Sequence, residues 1–108
     1  MSEEHDQLVS KYRQKLIRDK FKLERAQLVD YRPDIYASKG KNKVIVEVEI
    51  GKTINGDHTF KQLELMHKYI RMSRNTLGVL LVPQSVKKEA LFLVDSVFGD
   101  GRIKVKAM

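Results

Sequence analysis

The chain has 108 residues with 42% hydrophobic and 32% charged side chains and no cysteine, which predicts one folded domain over residues 1–108 and excludes a disulfide scaffold or a thiolate zinc site. No apolar run reaches the roughly 18 residues of a membrane span, and residues 1–6 are too acidic for a secretory signal, so we expect a soluble, cytoplasmic protein. A formal charge of +7 favours a polyanion such as nucleic acid as a partner.

The first half of the chain contains one helical pattern followed by strand patterns. Apolar residues recur every three or four positions over residues 4–20, which predicts an amphipathic helix with a basic outer face. Over residues 21–29 the side chains alternate between two sets at successive positions, which predicts an edge strand. Residues 32–38 and 43–50 predict two further strands, and Gly40 between them suits a tight reversal.

The second half alternates helices with short strands. Thr59 and Gln62 match a capping box, which predicts a helix that starts there and ends near Asn75. The remaining patterns predict a buried strand, a helix and a final edge strand, at residues 77–82, 85–97 and 102–106. The predicted order is therefore αβββαβαβ, an α/β fold with a mixed sheet flanked by helices.

The two strands around Gly40 bring acidic residues together if the pairing is symmetric about the turn. Paired positions then sum to 81, which sets Asp34 opposite Glu47 and Arg32 opposite Glu49. Alternation leaves an unbroken apolar face on one side of this hairpin and a polar face on the other. Asp34, Glu47 and Glu49 share the polar face, where like charges repel unless a positive group lies between them. Three carboxylates form an oxygen-rich site that suits Mg²⁺ or Mn²⁺.

These residues resemble the signature of the PD-(D/E)xK nuclease superfamily. The signature is Pro-Asp on one strand, here Pro33-Asp34, and Asp/Glu-x-Lys on the next, here Glu47-Val48-Glu49. The likeness extends over residues 4–82, since the superfamily core is also a helix, three strands, a helix and a further strand. It implies a restriction endonuclease-like core that hydrolyses DNA phosphodiesters with a divalent metal.

The resemblance also implies a set of metal ligands. It assigns Asp34 and Glu47 as ligands and adds the carbonyl of Val48. An acidic residue on the first helix is expected to complete the site, and Glu4 is the candidate for that position. Two neighbouring acidic residues are alternatives to it: Glu3 and Asp6.

The sequence departs from the signature at Glu49, which occupies the position of the motif lysine. One interpretation is that Glu49 binds a metal or orients the attacking water, as in some restriction endonucleases of this superfamily. A second is that Lys61, one turn into the following helix, supplies the missing amine to the catalytic site. A third is that catalysis has been lost and only binding remains.

The sequence-based prediction is a Mg²⁺- or Mn²⁺-dependent DNA endonuclease that recognises DNA structure or backbone. The alternative is an inactive nuclease-like module that binds DNA or a protein. Because a chain of this length has little surface with which to hold a duplex, we expect a homodimer, as in the archaeal Holliday-junction resolvases that it resembles in size and charge. The residues predicted to contact DNA are Lys39, Lys41, Lys43, Lys52, Lys61 and Gln62.

Overall fold

The computed structural model describes residues 3–25, 28, 30–51, 54 and 56–108, in which three helices flank a five-stranded mixed sheet. The helices are α1 (Glu3–Arg18), α2 (Asp57–Arg71) and α3 (Lys87–Val97). The strands are β1 (Lys22–Leu23), β2 (Ile35–Lys39), β3 (Asn42–Val48), β4 (Thr76–Val82) and β5 (Ile103–Ala107). No helix in these ranges combines the length and the apolarity needed to cross a membrane.

The sheet joins an antiparallel half to a parallel half. Its strand order is β1-β2-β3-β4-β5, with antiparallel pairing from β1 to β3 and parallel pairing from β3 to β5. Parallel neighbours need a crossover connection, and α2 and α3 supply the two crossovers. The predicted α/β class, mixed sheet and element order αβββαβαβ are confirmed. The restriction endonuclease-like identity of the core stays a prediction.

Each face of the sheet is covered by helix. On one face α1 packs its buried residues Leu8, Tyr12 and Leu16 against alternate residues of β2, β3 and β4. On the other face α2 and α3 form a second apolar cluster with the remaining strand residues. Gly78 of β4 allows α2 to approach closely, because a Cβ at this position would lie 2.7 Å from Sδ of Met66.

The β2–β3 hairpin has the predicted register. Ile35 pairs with Val46 and Lys39 with Asn42, so paired positions sum to 81. Gly40 has a φ of 62°, which glycine adopts without the steric cost that a side chain would add. The ladder begins at Ile35 because Pro33, opposite Val48 in this register, has no N–H to donate. Arg32 and Asp34 both precede β2, so the ladder ends before the predicted pairs of Asp34 with Glu47 and of Arg32 with Glu49.

The other predicted boundaries also need correction. The edge strand expected over residues 21–29 is only Lys22–Leu23, and positions 26, 27 and 29 lie outside the described residues. Helix α2 begins at Asp57, after Gly56, and ends at Arg71 rather than near Asn75. The capping box is wrong, because Thr59 is the third residue of α2 and is fully buried in the core.

Candidate functional site

Asp34 and Glu47 meet where the β2–β3 ladder ends. Beyond the last ladder pair, the N–H of Val48 donates to Oδ2 of Asp34, at 2.8 Å. Glu47, on the adjacent position of β3, is 5% exposed, and the neighbouring Asp34 carboxyl group raises its pKa. The local register therefore produces the predicted carboxyl pair.

Tyr31 fixes the position of the Glu47 carboxylate. Its Oη donates to Oε1 of Glu47 at 2.7 Å, and the tyrosine is 3% exposed. Its ring stacks on Tyr69 of α2, with centroids 6.0 Å apart and planes 17° from parallel. Helix α2 thus braces the carboxyl pair from the side opposite α1. The sequence does not predict this contact, because Tyr31 precedes the motif and nothing in the local pattern links it to Glu47.

Burial gives the carboxyl pair an unusual protonation behaviour. Desolvation raises the pKa of Glu47 to about 8, and the negative charges of Asp34 and Glu49 raise it as well, against the opposing effect of the Tyr31 hydrogen bond. Burial also raises the pKa of Tyr31, and the adjacent Glu47 raises it further. Near neutral pH the pair therefore retains a proton when no cation is bound, and a divalent cation would take the place of that proton.

The first helix contributes a histidine in the place where an acidic residue was expected. Nε2 of His5 lies 3.4 Å from Oδ2 of Asp34, and the two side chains are 14% and 23% exposed. Glu4, the predicted metal ligand, is exposed on α1. Of the two alternatives, Glu3 accepts a hydrogen bond from Gln7, and Asp6 lies beside the other ring nitrogen of His5. The sequence pattern did not identify His5 as part of the site.

An open cleft of about 520 Å³ lies beside Asp34. Three arginines line it together with Asp34, from α1, from the segment after β1 and from the segment before β2: Arg13, Arg25 and Arg32. Guanidinium groups bind phosphate oxygens with two parallel hydrogen bonds, so this lining suits a phosphodiester. Glu24 is the second acidic residue of the cleft, and its negative charge partly offsets the positive charge of the arginines. The sequence signal for the cleft was weak, because the arginines come from three separate segments.

Glu49 lies on the same face of the hairpin as Glu47, but this face is not exposed to solvent. Glu49 is 6% exposed, and its N–H donates to the carbonyl of Leu81 at 3.0 Å. Alternation in the sequence predicts that this face is the polar side of the hairpin, whereas α2 and α3 cover it. Glu49 therefore adds buried negative charge to the carboxyl pair.

Lys61 is exposed and lies on the outer side of α2. It is two residues from both Thr59 and Leu63, which are fully buried, so its side chain leaves the helix about 200° away from theirs. Gln62 is half-buried and precedes Tyr69 by seven residues, or two turns, which sets both on the side of α2 that contacts Tyr31. Of these two residues, Gln62 rather than Lys61 lies on the side of α2 that faces the site.

The predicted DNA-contacting lysines do not surround the carboxylates. Lys39, Lys41 and Lys43 are exposed at the turn of the hairpin, and Lys43 precedes Glu47 by four positions along the strand, a span of about 13 Å. Lys52 lies outside the described residues. The turn lysines therefore mark the far end of the hairpin, while the arginine-lined cleft adjoins the acidic end.

Among the described residues, no group of three or more histidine, aspartate or glutamate side chains has an arrangement that could hold a metal ion. A magnesium ion does not need such a group, because it keeps several waters and binds through one or two carboxylates and substrate phosphates. Asp34 and Glu47 supply the two carboxylates, and Pro33 gives the Val48 carbonyl no ladder hydrogen bond. The carboxyl pair, in which Glu47 is buried and Asp34 is half-buried, fits a hard divalent cation.

Comparisons of the chain with protein-family models, with curated proteins and with solved structures found no match.

Proposed function

We propose that this protein is a divalent-metal-dependent nuclease that hydrolyses DNA phosphodiester bonds and recognises the backbone or structure of DNA rather than its sequence. The observation that carries the proposal is that Asp34 belongs to two features at once. It lies beside the buried Glu47, whose pKa it raises, and also lines the cleft that contains three arginines. A phosphodiester in that cleft would lie beside a cation held by the carboxyl pair.

One set of residues would bind the cation, and a second set would bind the substrate. Asp34, Glu47 and the carbonyl of Val48 would hold Mg²⁺ or Mn²⁺, and this ion would supply Lewis-acid activation of the phosphodiester and of the attacking water. Tyr31 and the Val48 N–H keep the two carboxylates in place, which preorganises them.

The arginines bind the substrate. Arg13, Arg25 and Arg32 would hold phosphates on either side of the bond to be cleaved. Their contacts are with the DNA backbone, which accounts for the absence of sequence recognition in the proposal.

DNA cleavage tests the enzymatic activity directly. We expect linear, nicked, branched or single-stranded DNA to be cleaved with Mn²⁺, and Glu47→Gln to lower the rate at least about 10³-fold because one charged ligand is lost. Glu64→Gln is the matched control, since Glu64 is exposed on the outer part of α2. Full activity in Glu47→Gln would exclude this site.

A second experiment tests the cleft. Arg32→Ala should weaken DNA binding more than Arg74→Ala, although both remove one exposed arginine from the surface. Arg74 is a suitable control because it lines a different cavity, at the opposite end of the sheet, with Lys15 and Lys43. Equal losses would mean that DNA responds to net charge alone and does not use the cleft.

The alternative function is a binding module without catalysis. Two observations favour it: Glu49 occupies the position of the motif lysine, and Lys61 lies on the outer side of α2. In that case DNA binds with the same dependence on Arg32 but is not cleaved with Mg²⁺ or Mn²⁺. Binding and cleavage measured on the same preparation distinguish the two functions.

A further inference from the structure

The outer face of α3 presents apolar side chains to solvent. Ala90 and Val94 face the core, while Phe92, on the opposite side of the helix, is 75% exposed and Leu91 is 39% exposed. An isolated exposed apolar residue is ordinary, but two adjacent ones at the centre of a helix face form a surface that another protein can cover. A phenylalanine buries about 150–250 Å² when it is covered.

Opposite charges flank these two apolar residues. Lys88 lies one turn before Phe92, and Asp95 lies one turn after Leu91, so the four residues form one stripe along the helix. Both charged residues are exposed, and within the described residues neither forms an ion pair with another side chain. The stripe has a positive end and a negative end around an apolar centre.

The two charges also oppose the dipole of their own helix. A helix favours acidic residues in its first turn and basic residues in its last, yet Lys88 is near the start of α3 and Asp95 is near its end. Their placement therefore does not serve the stability of α3 itself. It is explained if these residues pair with a partner.

We propose that two copies of this chain associate through α3, with the two helices antiparallel across a two-fold axis. Centring the contact between Leu91 and Phe92 sets each Leu91 against the Phe92 of the second copy. The same arrangement sets each Lys88 against the Asp95 of the second copy, so that two ion pairs close the ends of the apolar contact. A parallel arrangement would instead oppose like charges. A face that complements itself in this way fits a second copy of the chain.

The proposal does not depend on the nuclease function. None of the residues that line the arginine cleft lies on α3, so both copies keep that cleft exposed in the dimer. Because α3 has 11 residues and is about 16 Å long, the contact is small, and we expect dissociation in the micromolar range.

Sedimentation velocity over a concentration series from low to high micromolar tests the dimer. The wild-type protein should shift from monomer to dimer, and Phe92→Gln should raise the dissociation constant at least about tenfold. Met72→Gln is the matched control, because Met72 is also 75% exposed but lies at the end of α2. A monomer at every concentration would overturn the proposal and leave this face to a different protein.

Charge exchange tests the antiparallel arrangement. Lys88→Glu and Asp95→Lys should each raise the dissociation constant at least about tenfold, because each change converts both ion pairs into repulsive contacts. The double variant should recover the wild-type constant. Each single change also improves the match to the helix dipole, so unfolding does not explain a loss of dimer.

Lys11→Glu on α1 is the control for net charge, since it alters the charge equally on the other face of the sheet. Dimerisation should be unaffected by this change. A dimer that resists both single reversals, or a double variant that stays monomeric, would overturn the proposed contact.

Discussion

The two faces of β3 are buried to nearly the same degree but differ in chemistry. Val44, Val46 and Val48 face α1, while Ile45 and the two glutamates face α2 and α3, and all six are at most 6% exposed. The first face obeys the ordinary rule that a strand between two layers is apolar. The second buries two carboxyl groups that the fold does not need. A cost in stability that is confined to one end of one strand indicates a functional requirement.

The largest expected effect comes from moving the carboxylate to the other face. Val46→Glu would bury a charge in the apolar cluster between α1 and the sheet. We expect a loss of more than about 4 kcal/mol in the free energy of unfolding, enough to unfold a marginal domain. Far-UV circular dichroism with urea denaturation measures this loss. A folded variant within about 1 kcal/mol of wild type would mean that the two faces do not differ as described.

The pH dependence of stability should identify Glu47 as the costly residue. In the metal-free protein its pKa is raised from the ordinary 4.5 to about 8, so between these values the folded state binds more protons than the unfolded state. Stability should therefore fall as the pH rises from about 4.5 through 8, with a slope of at most about 1.4 kcal/mol per pH unit.

Glu47→Gln is the comparison for this pH profile. Glutamine keeps an oxygen that accepts the Tyr31 hydrogen bond but carries no charge, so the variant should lose the Glu47 part of the slope. We expect it to be more stable than wild type at pH 9 in the presence of a chelator. Identical slopes in the two proteins would show that Glu47 does not titrate in this range.

A smaller effect is expected from removing the donor that holds Glu47. Tyr31→Phe deletes the hydroxyl group and should lower the free energy of unfolding by about 1–3 kcal/mol, since Glu47 loses its hydrogen bond in a buried environment. Tyr69→Phe is the matched control, because its hydroxyl donates to Asp30, which is exposed. Urea denaturation of both variants should show the larger loss for Tyr31→Phe, and the reverse order would remove Tyr31 from the site.

The sequence predicted the hairpin well because the turn and the pairing of its two strands depend on residues that are close together in the chain. One assumption about the turn at Gly40 produced the register, and the register brought Asp34 and Glu47 together. Alternation also predicted correctly which residues share a face. It could not predict what covers that face, since the packing of α2 and α3 depends on residues far along the chain. For this reason the glutamates were expected on a polar face and are found buried.

The parts of the site that were missed all involve contacts between distant segments. Tyr31 reaches Glu47 across 16 residues, and His5 reaches Asp34 from a different layer of the fold. The predicted ligand Glu4 is adjacent to His5, but one position on a helix changes the direction of a side chain by about 100°. The capping-box assignment of Thr59 failed for a related reason, because burial in the core decided its role.

The central claim is that Asp34 and Glu47 together bind a divalent cation, and thermal unfolding with and without Mn²⁺ tests it most directly. We expect Mn²⁺ to raise the unfolding midpoint of the wild-type protein in a concentration-dependent way, because a ligand that binds only the folded state stabilises it. Asp34→Asn and Glu47→Gln should lose this stabilisation, while Glu64→Gln should retain it. A wild-type midpoint that does not respond to Mn²⁺, or an equal response in Asp34→Asn, would contradict the account.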